Sequence, residues 1–151
     1  MRKTRLRGFT LVELLVVVAL MGIMMSIALV AYQATRVSAR DARRKGDLEI
    51  VRSALEMYRS DCGRYPDTSR VIFGNSLTSG GTGETCVAGT IYMASLPVDP
   101  LSTKYKYGYT GTATSYSLCA YLEGVSVGAS CTMTCEAVGS PVVCTYKTTN
   151  P

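Results

Sequence analysis

The chain has 151 residues, a length that suits one domain, and 47% of them are hydrophobic, which excludes disorder as its main state. It contains no His, so His-based catalytic triads and His-liganded metal sites are excluded. Four of the bases behind the net charge of +5 (Arg2, Lys3, Arg5, Arg7) fall in the first seven positions; after them 12 basic residues face 11 acidic ones, and so balanced a body gives nucleic acid no electrostatic footprint.

The chain reads in four parts. Residues 1–8 form a short basic leader. Residues 9–35 form an apolar segment whose only charge is Glu13, with 22 uncharged residues from Leu14 to Thr35. About 20 such residues cross a bilayer as a helix. An ordinary cleaved signal peptide ending near Ala28 to Ala31 is the competing reading, but its apolar region would be only about 7–15 residues long and free of acid. Gly22 and Ser26 make a small-xxx-small pair of the kind that lets helices approach closely.

Residues 36–60 are charged and lack Pro. Leu48, Val51, Leu55 and Tyr58 recur at steps of 3, 4 and 3 and predict the buried stripe of a helix that continues the apolar one. Asp41 with Lys45, Arg43 with Asp47, Lys45 with Glu49 and Arg52 with Glu56 are spaced as i,i+4 ion pairs. Gly63 and Pro66 predict the helix end near Ser60.

Residues 61–151 hold all six cysteines and all five prolines. Tyr105, Tyr107 and Tyr109 alternate with Lys104, Lys106 and Gly108, and Tyr116, Leu118, Ala120 and Leu122 alternate with Ser117, Cys119 and Tyr121. Two strands joined as a hairpin through Thr110 to Ser115 follow, with Val142 to Tyr146 as a further strand. Asp67 to Leu96 is turn-rich and yields no assignment. A helix stripe on a small antiparallel sheet is an α+β arrangement. Cys131-x3-Cys135 has a metal-like spacing, yet in an exported domain Cys62, Cys86, Cys119, Cys131, Cys135 and Cys144 point to disulfides, among which spacing does not choose. The tyrosines could also form a stacking platform for DNA; strand spacing favours core and sheet surface.

The order of basic leader, Gly8, Phe9, Thr10, Leu11, Val12, Glu13 and apolar helix closely resembles the signature of type IV prepilins and type II secretion pseudopilins. Ala39 to Arg44, Asp47-Leu48, Ala54-Leu55, Tyr58, Gly63 to Pro66, and Leu96 to Pro100 followed by Tyr105 and Tyr107 are similar to the major pseudopilin pattern. The resemblance covers residues 8–122. It implies a pilin-like fold and a structural subunit that is not an enzyme and needs no cofactor. It further implies cutting between Gly8 and Phe9 by a prepilin peptidase and methylation of the Phe9 amine. An inner-membrane assembly platform would then draw the subunit from membrane lipid into a helical filament, with the head outside the cytoplasm. Glu13 would pair there with the Phe9 amine of a neighbouring subunit. A secretion pseudopilus, a surface pilus and a competence pilus all fit, and a membrane-anchored exported binding domain that never polymerises is the alternative. Two positions depart from the family. Val30 stands where many members carry Pro. Major pseudopilins hold calcium in an acid-rich C-terminal loop, whereas this region offers only Glu123 and Glu136, so no metal site is carried over.

Overall fold

A computed structural model describes residues 9–80, 83–125, 131, 133–135 and 142–150. The chain divides into two compact units, residues 1–37 and 38–151. One helix, α1 (Leu11–Cys62), contributes to both.

In the first unit α1 is the structure. Among the described residues Leu11 to Leu29, no large apolar side chain is buried; they range from Val17 at 43% exposed to Leu11 at 77%. Leu11, Leu14, Leu15, Val18 and Ala19 share one face of the helix. Water does not tolerate so long an apolar surface, so lipid or protein must cover it.

In the second unit α1 is amphipathic. Leu48, Val51, Leu55 and Tyr58 are all 0% exposed, as the 3-4-3 spacing predicts. The helix runs two residues past the expected Ser60. It stops at Gly63, which adopts φ +73° and donates its N–H to the Arg59 carbonyl at 2.9 Å, a left-handed cap open to glycine at little cost.

Beyond a single 3-10 turn at Thr68–Arg70, the segment without a sequence assignment forms a two-stranded antiparallel pair, β1 (Leu77–Thr78) and β2 (Ile91–Met93). A second antiparallel sheet has the order β3 (Gly108–Gly111), β4 (Tyr116–Ala120), β5 (Tyr146–Thr149). The β3–β4 hairpin pairs Tyr109 with Leu118, and Thr112 donates its N–H to the Ser115 carbonyl across the turn. Gly111 is obligatory for space, because a Cβ there would overlap the Tyr109 hydroxyl and the Pro66 carbonyl.

The third strand differs from the expectation. It is Tyr146–Thr149, paired from Ala120↔Tyr146 to Ser117↔Thr149, and not Val142 to Tyr146. Val143 makes only an isolated bridge to Thr134, and the Val142 carbonyl accepts from Cys135 N–H, so this stretch serves a connection tied by the Cys135–Cys144 disulfide. The other disulfides are Cys62–Cys86 and Cys119–Cys131. Cys131 and Cys135 therefore belong to different bridges, and their metal-like spacing has no metal role in this oxidised chain.

The core joins the helix stripe to Tyr65, Leu77, Leu96, Tyr107, Tyr109, Tyr116 and Leu118. The result is an α+β, pilin-like arrangement. The strand-spaced tyrosines are core residues, Tyr105, Tyr107 and Tyr109 each being at most 5% exposed. They are not a surface on which bases could stack.

Candidate functional site

The N-terminal segment and the head each concentrate polar chemistry in one place. At the start of α1, Thr10 precedes the helix and accepts the Glu13 N–H on its hydroxyl at 3.3 Å, while its carbonyl accepts from Leu14 N–H. Thr10-x-x-Glu13 thus has the spacing of a capping box. A carboxylate in the first turn also faces the positive end of the helix dipole. Glu13 is exposed and makes no ion pair among the described residues. Phe9, non-helical and 84% exposed, stands just ahead of it. Gly8 lies outside the described residues, as does the rest of the leader. The segment therefore presents one acid at the tip of an uncovered apolar helix, with no ion-pair partner among the described residues.

In the head, the helix carries a buried cation. Arg44 is 0% exposed and precedes Leu48 by one turn, so it continues the core stripe toward the N-terminus. Its Nε and Nη2 donate to both oxygens of Asp99 at 2.7 and 3.0 Å. Its Nη1 donates to Asp41 and to Glu123, each at 2.8 Å. The guanidinium also lies over the Tyr105 ring. Arg40, one turn earlier, grips Glu123 through Nε and Nη2 at 2.8 and 2.6 Å. Asp41 also accepts the backbone N–H groups of Glu123 and Gly124.

Three helix residues thus fasten two loops, one around Asp99 and one around Glu123. Bidentate and charge-assisted bonds of this kind are the strong ones. Burial opposes the charge on Arg44, but the bonds from Asp99 and Glu123 outweigh it and hold the guanidinium protonated beyond its ordinary range. The Arg40 hydrogen bond, with Arg44 adding to it against desolvation, lowers the Glu123 carboxyl to about 2. An acid so occupied by arginines is not a cation ligand.

Two further helix acids face the sheet. Asp47 accepts the Tyr107 hydroxyl at 2.7 Å, and Glu56 accepts those of Tyr65 and Tyr116. Of the four i,i+4 ion pairs expected from spacing, none forms among the described residues. Arg44 with Asp41 and Arg52 with Glu49 pair at i,i+3 instead. For Asp47 and Glu56 the phenols are better placed than Arg43 and Arg52, because the sheet brings them onto the helix while a long basic side chain on the helix loses rotamer entropy to reach back.

Sequence reasoning singled out Gly8, Phe9, Glu13 and the six cysteines. It missed Arg40, Arg44, Asp99 and Glu123 as a unit. The signal was present: Arg44 stands in phase with the apolar stripe, a position where an unpaired base would be costly.

Two comparisons agree with this layout. A profile described as "Type II secretion system (T2SS), protein G" matches residues 31–131. One described as "Prokaryotic N-terminal methylation motif" matches residues 3–29. The type II secretion system core protein G of Pseudomonas aeruginosa is 31% identical over 78% of this chain and 84% of its own length. The core protein G of Aeromonas hydrophila is 31% identical over 70% of this chain and 75% of its own. That of Escherichia coli is 30% identical over 74% of this chain and 78% of its own. No solved structure matches the chain significantly.

Proposed function

The chain belongs to the type II secretion system protein G family, and from that premise we propose that it is a pseudopilin, the repeating subunit of a secretion filament. Members of this family are structural and non-catalytic, so the sites that matter are those of processing and assembly. In this reading a prepilin peptidase removes residues 1–8 by cutting after Gly8, and the new amine on Phe9 is methylated. Residues 9–35 hold the subunit in the membrane, residues 36–60 continue as the helix of the head, and residues 61–151 complete a disulfide-containing head outside the cytoplasm. An inner-membrane platform transfers the subunit from lipid to the filament, where Glu13 meets the Phe9 amine of its neighbour.

The observation that carries this is an exposed apolar helix with a single acid at its tip, unpaired among the described residues, inside a matched methylation motif. A passive anchor needs only an apolar run, in which a carboxylate costs more the deeper it sits, up to ~2.5–3.5 kcal/mol at the bilayer centre. In a filament the Phe9 amine of a neighbour supplies a cation for Glu13. Intact mass of the protein purified from membranes tests the processing step. The expected mature chain starts at Phe9 and carries one methyl group, and Gly8→Leu accumulates the uncut form. A mature start near Tyr32 would instead favour a cleaved signal peptide.

A further inference from the structure

Four of the six cysteines occupy one patch of the head. Cys119, Cys135 and Cys144 are buried together, with Cys131, Met133 and Tyr121 packed against them. The sulfurs of Cys119, Cys131 and Cys144 all lie within 4.8 Å of one another, although they belong to two different disulfides. The burial is uneven. Cys119, Cys135 and Cys144 are at most 1% exposed, while Cys131 is half-buried. Thiol–disulfide exchange needs a thiolate, a sulfur it can reach, and a leaving thiolate. This patch has one half-buried cysteine, Cys131, beside three buried ones, and a second disulfide within reach of the thiolate that the first would release.

We propose that Cys131 is the point of attack for an external thiol, and that Cys119 relays the exchange to Cys144. In the first step an external thiolate bonds to the Cys131 sulfur, the Cys119–Cys131 bond breaks, and Cys119 leaves as a thiolate. In the second, the Cys119 thiolate bonds to the Cys144 sulfur, the Cys135–Cys144 bond breaks, and Cys135 leaves as a thiolate. Each step forms one S–S bond and breaks one, so no net oxidant is consumed. The product carries a Cys119–Cys144 bridge, a mixed disulfide on Cys131 and a free Cys135. Run in reverse, the same relay converts that isomer to the native pairing. The partner it fits is an exported thiol–disulfide exchange protein that presents a thiolate to Cys131.

The Cys62–Cys86 bridge is an internal control. Its sulfurs cluster with the Glu84 carboxylate and with no third sulfur among the described residues. Attack there frees a thiolate with nowhere to go but back.

The test uses the full chain in detergent with reduced glutathione as the probe, quenched with an alkylating agent and mapped as peptides. The expected product is a Cys119–Cys144 peptide, with glutathione on Cys131 and alkylation on Cys135. At the other bridge, only mixed disulfides and their alkylated partners should appear. The paired variant Cys119→Ser with Cys131→Ser removes the relay without leaving a free Cys131 thiol within reach of Cys144, and should lower alkylation of Cys135 at least tenfold. If that variant does not fold, the wild-type map decides alone. Glutathione on Cys131 with alkylated Cys119 and an intact Cys135–Cys144 bridge would overturn the relay. Glutathione appearing first on Cys135 or Cys144 would overturn the assignment of Cys131.

Discussion

Replacing Arg44 with Met is the sharpest test of how the head is held. The guanidinium is fully buried and makes two bonds to Asp99, one to Asp41 and one to Glu123. Met fills similar space and keeps the apolar stem, so the loss is confined to charge and hydrogen bonds. Glu123 would retain Arg40, and Asp41 would retain two backbone N–H groups. Asp99, whose side chain is 0% exposed, would keep the Leu101 N–H but no cation. Leaving one partner of a buried ion pair uncompensated costs ~3–5 kcal/mol. With an unfolding entropy of ~2.1 cal/mol/K per residue, the head of residues 38–151 should lose ~12–20 °C in Tm. Arg44→Met combined with Asp99→Leu removes the stranded acid as well and should recover at least half of that loss. Near-UV circular dichroism of the tyrosines, followed against temperature on the full chain in detergent, reads chiefly the head, which holds nine of the ten tyrosines, Tyr32 being the exception. A single variant that melts within ~3 °C of wild type, or a double variant no better than the single, would refute the claim that this cluster holds the two loops.

Glu13→Val should leave membrane levels unchanged or higher, because a polar group leaves the apolar run, and should strongly reduce sheared filaments; undiminished filaments would remove the assembly role. The Glu123 carboxyl is lowered in the folded head from about 4.5 to about 2. Its contribution is therefore complete above pH ~4.5 and lost as pH falls toward 2, so a pH-dependent melt should stay level from neutrality to about 5 and decline below it. Opening the Cys62–Cys86 bridge, whose cysteines are 24 residues apart, with a paired Ser substitution should cost ~3–4 kcal/mol by chain entropy, read as a shift in the denaturant midpoint. A midpoint unchanged from wild type would mean that α1 needs no staple at its end.

Much of this architecture is legible before any coordinates, because it rests on periodicity. The 3-4-3 stripe from Leu48 to Tyr58 and the alternation through Tyr116 and Leu122 are single-face patterns, and both faces are buried as the patterns require. Periodicity fails where a residue's partner is distant in sequence. Asp47 and Glu56 sit at good spacing for bases on their own helix, but tyrosines brought by the sheet claim them. Val142 and Val143 have the composition of a strand, yet the pairing falls on Tyr146 to Thr149, whose β-branched threonines and Lys147 suit a half-exposed edge. The cation cluster joins residues 55 to 83 positions apart, beyond any local window.

Those same separations bear on the order of folding. Helices form from neighbours, while contacts across many residues wait on loop closure. In the unfinished head Arg44 is a solvated cation at the N-terminal end of the apolar stripe, and the head half of α1 has an uncovered charge where the core must close. That charge is covered only when Asp99 and Glu123 arrive from 55 and 79 residues downstream. Closure of that cluster is then a late event, and the helix presents a finished hydrophobic seam only to a chain that has brought both of its own loops home.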